Sequence, residues 1–200
     1  MNNNELELEF NPWLGLEYNS LPNIIGVKML LLGESHYSEE SQLADFTQNV
    51  IRDLAINGRF NYFSKLRTLV SKAIDNPDLS PEQFWNAVAF SNYIQDIVGD
   101  TPRIAPTEKM WSRAANSLRK ILDETKPDVV LVVGKRLWEA MPDEPDGLRF
   151  IKRVTGSEEK WWIYSMTDQK EIPIAYIAHP ASGGWSYIAW TKQVKKLLAS

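Results

Sequence analysis

Short, continuous apolar runs alternate along this chain with longer segments in which apolar residues recur every three or four positions. The runs Val27–Leu32, Val129–Val133 and Ile172–Ala178 are short and mostly aliphatic, which is typical of strands buried on both faces of a parallel sheet. Val88–Ile94 is either a fourth short strand or a loop. Each run ends in a polar turn, so the pattern predicts strands that feed into loops and then helices.

The helical periodicity predicts six helices, namely residues 41–57, 62–74, a segment after Ser80, a segment after Thr107, 135–141 and 185–199. Ser80 and Gln83 have the spacing of a capping box around Pro81, and Thr107 is a good N-cap residue. Strands that alternate with helices predict an α/β fold. We expect a three-layer α/β/α sandwich with a central, mainly parallel four-stranded sheet.

Two other parts of the chain fall outside this alternation. Residues 1–26 carry several Pro and Gly residues and predict an N-terminal arm, which leaves residues 27–200 as a single domain. Arg149–Val154 and Trp161–Met166 are predicted to pair as a hairpin across Gly156–Ser157.

The amino-acid composition excludes several kinds of catalytic and metal site. The 200 residues include no Cys and 2 His, which excludes cysteine nucleophiles, thiolate zinc sites and multi-histidine metal sites. We therefore expect no metal and no other cofactor. No apolar run is long enough to cross a membrane, and the polar N-terminus predicts a cytoplasmic protein without a membrane partner. The net charge of −4 does not suggest a general nucleic-acid binder, although a local basic stripe would suffice.

Three polar clusters follow predicted strands or a strand-like stretch, and both histidines belong to them. They are Gly33-Glu34-Ser35-His36-Tyr37, Ser91-Asn92-Tyr93 and His179-Pro180-Ala181-Ser182-Gly183-Gly184. In open parallel sheets, ligands bind in the crevice outside the carboxyl ends of the strands. The clusters therefore predict one ligand site at that edge.

The ordered set of motifs resembles the uracil-DNA glycosylase superfamily, and it is most similar to the branch with an iron–sulfur cluster. That family has a Gly-Glu-Ala-Pro-Gly or Gly-Gln-Asp-Pro-Tyr loop, a uracil-recognising Asn, an Asn-Arg-x-Pro-like segment, an apolar strand ending in Gly, and a His-Pro-Ser motif. The similar segments here are 33–37, 91–93, 102–108, 127–134 and 179–182.

The resemblance implies a protein that binds uracil or another damaged base flipped out of DNA, or a free nucleobase or nucleotide, and that hydrolyses the N-glycosidic bond. It implies catalytic roles for Glu34, Ser35 and His179. The implied base-binding residues are Asn92, Tyr37, Phe46 and His36, and the implied contacts to DNA phosphate are Ser182, Gly183, Lys135 and Arg136.

The chain departs from the family pattern at several positions. Ser35 stands where the efficient enzymes carry a water-activating Asp, His36 replaces the loop proline, and Ala181 replaces the first Ser of His-Pro-Ser. The cysteine ligands are absent, so no iron–sulfur cluster is expected.

Two other functions stay open. The first is a binding module of the same fold that holds a nucleotide or DNA without cleaving it, because the Asp is missing. The second is an esterase with Ser35 as nucleophile and His179 as base. Esterases of the Gly-Asp-Ser type place an Asp three residues before the His, where this chain has Tyr176.

Overall fold

The computed structural model describes residues 8–39, 42–101, 104–142, 149–153, 161–165 and 170–200. The strands are β1 (Trp13–Leu14), β2 (Met29–Gly33), β3 (Ala89–Asn92), β4 (Val129–Val133), β5 (Arg149–Arg153), β6 (Trp161–Ser165) and β7 (Glu171–Ile177). The helices are α1 (Phe46–Val50, continued by a π-helical segment over Ile51–Asn57), α2 (Asn61–Ala73), α3 (Pro81–Ala87), α4 (Glu108–Thr125), α5 (Lys135–Ala140) and α6 (Tyr187–Leu198).

One sheet of seven strands contains all of the strands described, in the order β1-β3-β2-β4-β7-β6-β5. The predicted α/β class is confirmed. The predicted sheet of four strands is wrong, because the sheet is larger and mixed. Parallel pairing joins β3, β2, β4 and β7, whereas β1, β6 and β5 are antiparallel to their neighbours. The predicted hairpin accounts for two of the added strands, since β6 pairs with the outer edge of β7 and β5 with β6.

The central strands are buried on both faces, which explains their mostly aliphatic sequence. Leu31 belongs to a core cluster that includes residues of α2, α3 and α6, and Leu30 belongs to a second cluster with residues of α4 and α5. Successive residues of a strand point to opposite faces, so β2 contributes alternately to the two clusters. The sheet therefore lies between two sets of helices.

Local signals set several helix boundaries as expected. The Ser80 hydroxyl accepts from the Gln83 backbone N–H and the Gln83 side chain accepts in return, so the predicted capping box is confirmed. The Thr107 hydroxyl likewise accepts from Met110 at the start of α4. No helix in the described ranges has the length and apolar character to cross a membrane.

The predicted regular helix over residues 41–57 is wrong in its first part and in its geometry. The α-helical turns begin only at Phe46 and pass into the wider π-helical segment. Leu43 precedes the helix and is 78% exposed, and Leu54 is 41% exposed. The wider turn changes the side-chain period, so an apolar stripe at a period of 3.6 is no longer buried as one face.

The described part of the predicted N-terminal arm packs onto the sheet. β1 pairs antiparallel with β3, and the Trp13 indole N–H donates to the Trp85 carbonyl at 2.7 Å. Tyr18 and Phe10 are buried, and Tyr18 lies in the same core cluster as Leu30. This segment therefore covers the edge of β3, which would otherwise expose unpaired backbone groups.

Candidate functional site

The three predicted polar clusters meet at one edge of the sheet. Gly33 ends β2 and lies opposite Asn92, the last residue of β3. His179 follows the end of β7, and Gly134 follows the end of β4. Because these four strands are parallel, their carboxyl ends open onto a common crevice.

Glu34 is held by an arginine of α5. The Arg136 Nε donates to Glu34 Oε2 at 2.8 Å, and Arg136 Nη2 donates to Glu34 Oε1. Tyr37 also hydrogen-bonds to Arg136. The hydrogen bond to Glu34 makes the largest contribution to raising the pKa of the Arg136 guanidinium, and the bond to Tyr37 adds to it. The Glu34 side chain is only 16% exposed, so a two-pronged ion pair fixes its orientation. Arg136, predicted to contact phosphate, is thus engaged within the site.

Asn92 presents an unpaired carboxamide. Only 4% of the residue is exposed, and a Cβ on Gly33 would lie 2.2 Å from Asn92 Oδ1. The hydrogen bonds from Gln95 and Ser91 reach its backbone oxygen. Among the described residues, none bonds to its side-chain amide. Neither amide atom is a fully buried atom without a partner, so this donor and acceptor reach the surface and are available to a ligand.

The hydrogen bonding of His179 sets its tautomer. The Ala181 backbone N–H donates to His179 Nδ1 at 3.1 Å, so the neutral ring carries its hydrogen on Nε2. Partial burial lowers the pKa of His179. The carboxylate of Glu34 opposes this effect, while the charges of Arg136 and Lys65 add to it. The ring is therefore neutral at neutral pH and offers an Nε2–H donor.

Two residues of α2 complete the site, and the sequence analysis missed both. The ring centroid of Tyr62 lies 5.1 Å from that of His179. Burial raises the pKa of the Tyr62 phenol, and the Glu34 carboxylate raises it further. The Lys65 ammonium donates to the Pro180 carbonyl at 2.7 Å, across 115 positions of sequence. Only their i, i+3 spacing on one helix face is visible in the sequence.

His36 and Phe46 pack against each other where the loop after β2 meets the start of α1. His36 Nε2 lies 2.8 Å from Thr47 Oγ1, and the ring centroids of His36 and Phe46 are 4.8 Å apart. Phe10 contacts both rings. Burial lowers the pKa of His36 to about 4, so the ring is neutral and serves in packing. Phe46 is half-buried and keeps an accessible surface.

The remaining predicted residues lie on more open surface. The Ser35 hydroxyl donates to the Tyr37 hydroxyl at 3.4 Å. Ser182 and Gly183 are exposed, and a Cβ on Gly183 would have no described atom within 4 Å. Lys135 lies 3.4 Å from Glu139 and is 70% exposed. Of the family-like segment 102–108, residues 102 and 103 lie outside the described residues.

No three His, Cys, Asp or Glu side chains cluster as metal ligands within the part of the chain that the structure describes. In comparisons with known proteins, no family model matches the chain and no curated protein matches it. A functional argument therefore depends on the motifs and on the geometry of the site itself.

Proposed function

We propose that the protein is a DNA glycosylase-like enzyme of the uracil-DNA glycosylase superfamily. Its fold is then the uracil-DNA glycosylase-like α/β fold, and its location is the cytoplasm. It binds uracil or another damaged base flipped out of DNA and hydrolyses the N-glycosidic bond. The observation that carries the proposal is the meeting of Glu34, Asn92 and His179 at one edge of the sheet, with the Asn92 carboxamide unpaired.

Base recognition falls to Asn92. The edge of uracil presents a carbonyl acceptor beside an N–H donor, and a carboxamide offers the complementary pair. The carboxamide of Asn92 is not among the fully buried side-chain groups without a partner, so its polar atoms reach the surface and are open to a base. Phe46 and Tyr37 are the candidates for stacking on the base, since both keep part of their surface accessible.

Bond cleavage falls to His179 and Glu34. As the bond between the sugar carbon and the base nitrogen breaks, its electron pair moves onto the base, which becomes an anion. The His179 Nε2–H donates to that negative charge. The carboxylate of Glu34 stabilises the positive charge that develops on the sugar; water then adds to the sugar carbon, and the proton it loses neutralises the base anion, which leaves as the free base.

One observation favours a second candidate, a module that binds the base without cleaving it. Both oxygens of Glu34 are bonded to Arg136, and Ser35 offers only a hydroxyl where an efficient enzyme has a carboxylate. Neither group is arranged to take a proton from water. The site would then bind a nucleotide or a DNA strand with Asn92 as the recognition residue.

The esterase alternative receives no support from the site. A nucleophilic serine needs its hydroxyl within hydrogen-bond reach of the base. The Ser35 hydroxyl is bonded to Tyr37, and within the described residues it makes no bond to His179.

The decisive experiment incubates the protein with single- and double-stranded oligonucleotides that contain uracil and measures abasic sites. Abasic sites support the enzyme. Binding that depends on Asn92, without abasic sites, supports the binding module instead. If the protein neither cleaves nor binds these oligonucleotides or other damaged bases, both proposals are wrong.

A further inference from the structure

The segment that carries His179 is exposed over its middle part, while Pro180 is buried and Trp185 packs against the core. We call residues 179–185, between β7 and α6, the His179 loop. Ala181 to Gly184 are all exposed, and two of these four residues are glycines. Inside the loop, the Ser182 N–H donates to the His179 carbonyl at 2.8 Å, and the Trp185 N–H donates to the Ser182 carbonyl at 3.2 Å. These turns shape the loop but do not attach it to the rest of the protein.

One side chain of α2 contacts both ends of the His179 loop. The Lys65 ammonium donates to the Pro180 carbonyl at the start of the loop, and it lies 5.8 Å from the ring centroid of Trp185 at its end. A hydrogen bond from an ammonium is stronger than a neutral one, and a cation near an indole adds attraction. Tyr62, one turn earlier on α2, contacts the His179 ring itself.

We propose that Lys65 is a positioning residue for His179. The Lys65 side chain ties the His179 loop to α2 and supplies positive charge beside the imidazole. The catalytic meaning of this role rests on the proposed glycosylase function, whereas the contacts do not. Lys65 sets both where the Nε2–H donor lies and how readily the ring becomes protonated.

Lys65 is the one charged group near His179 whose charge is not balanced by a partner among the described residues. The groups that act on the imidazole are Glu34 after β2, Arg136 on α5, Lys65 on α2, and the phenol of Tyr62 that packs against it. Glu34 and Arg136 are paired with each other, so their effects oppose. Among the described residues, no carboxylate pairs with Lys65, so its charge stays uncompensated at the ring.

The test measures the titration of the two histidines by NMR in the parent and in Lys65→Met, Lys65→Gln and Lys65→Arg. We expect both uncharged variants to raise the pKa of His179, because a repelling charge is removed, and Lys65→Arg to keep it low. Lys195→Met, which removes a lysine that pairs with Asp75, is the matched control and leaves the titration unchanged. The buried His36 reports in each variant that the fold is retained.

A second measurement separates positioning from folding. Lys65→Met is expected to slow release of uracil about 10- to 100-fold while changing the affinity for uncleavable uracil-containing DNA much less, because a misplaced donor costs mainly the transition state. An unchanged His179 titration in both folded uncharged variants overturns the role of Lys65. A parent protein that releases no base overturns the glycosylase function instead, since the titration needs no substrate.

Discussion

At the residue scale, Gly33 makes room for the Asn92 side chain, and Gly134 adopts a backbone conformation beside His179 that favours glycine. A Cβ on Gly33 would lie 2.2 Å from Asn92 Oδ1, so any larger residue there would displace the carboxamide. The φ of Gly134 is +124°, which residues with a side chain rarely adopt, and a Cβ there would be 4.0 Å from His179 Cβ. The glycine at the end of β2 thus allows Asn92 to approach, and the glycine after β4 allows the positive φ beside His179.

Substitution of Asn92 tests recognition at this scale. Asn92→Ala is expected to weaken binding of uracil-containing DNA by about 1–3 kcal/mol, because the base edge loses its partners. Asn92→Asp should shift preference toward cytosine, whose exocyclic amine can donate to a carboxylate. Binding assays with matched uracil and cytosine oligonucleotides measure both effects, and Asn116→Ala, on the exposed side of α4, serves as control. Unchanged binding in both folded variants would show that Asn92 is structural.

Substitution of Ser35 by Asp is expected to increase the rate of base release. If its position is that of the water-activating Asp, Ser35→Asp supplies the missing proton acceptor and should raise the rate of base release, since general-base catalysis contributes about 10²- to 10⁴-fold. Ser38→Asp places the same charge in the same loop and should give no gain. A flat or lower rate in a folded Ser35→Asp protein would show that residue 35 does not face the attacking water.

At the scale of elements, His36 joins the loop after β2 to α1 through Thr47, and this contact predicts a pH-dependent stability. The folded pKa of His36, about 4, lies below the unfolded value of 6.5, so the unfolded state binds the proton first as pH falls. Stability is therefore lost between pH 6.5 and 4. By pH 5 the loss from His36 is about 2 kcal/mol.

The double variant His36→Phe, Thr47→Val removes this titration without leaving a buried hydroxyl unpaired. Urea unfolding at pH 7 and pH 5 should show a smaller loss of stability in the variant than in the parent, by the amount attributed to His36. Carboxylates titrate in both proteins and cancel in the comparison. Equal losses in parent and variant would mean that His36 is not buried as a neutral ring.

Elements with strong local signals were predictable from the sequence. The composition of the buried strands β2, β4 and β7 predicts them, since they are rich in aliphatic residues. The spacing of polar residues predicts the capping box at Ser80 and the N-cap at Thr107. The size of the sheet was not predictable. β1 pairs with β3, which is distant in sequence, and β6 adds to the edge of β7. No residue type in these segments specifies which strand each one pairs with.

The candidate site was predictable only in part for the same reason. Glu34, Asn92 and His179 follow strands, so the rule for parallel sheets places them at one edge. The partners that orient them come from helices. Nothing in the local sequence of Arg136 or Lys65 indicates a bond to Glu34 or to the His179 loop, because those bonds span 102 and 115 positions.

At the scale of the whole molecule, the described residues of the site keep one unpaired positive charge, that of Lys65, in a protein that is acidic as a whole, because Arg136 is paired with Glu34. The net charge is −4, yet Lys65 and Arg136 both act on His179. A negatively charged strand would be attracted to this edge rather than to the surface in general. Binding of DNA should accordingly involve few phosphate contacts and depend only modestly on salt.

His179→Ala distinguishes an enzyme from a binding module, because only an enzyme needs a donor to the charge that develops as the bond breaks. Negative charge on the base exists only as the bond breaks, so His179 stabilises the transition state more than the bound complex. We expect base release to slow about 10²- to 10³-fold, the usual cost of one such donor. Affinity for uncleavable uracil-containing DNA should fall far less.

The other functions predict different outcomes for His179→Ala. A binding module shows no base release in the parent protein, and the substitution alters affinity alone. An esterase loses hydrolysis of acyl esters in His179→Ala and in Ser35→Ala alike, with no effect of DNA. If the parent releases base and His179→Ala releases it equally fast, the Nε2–H donor has no role in cleavage. The hydrogen bond from Ala181 to Nδ1 would then serve only to shape the turn.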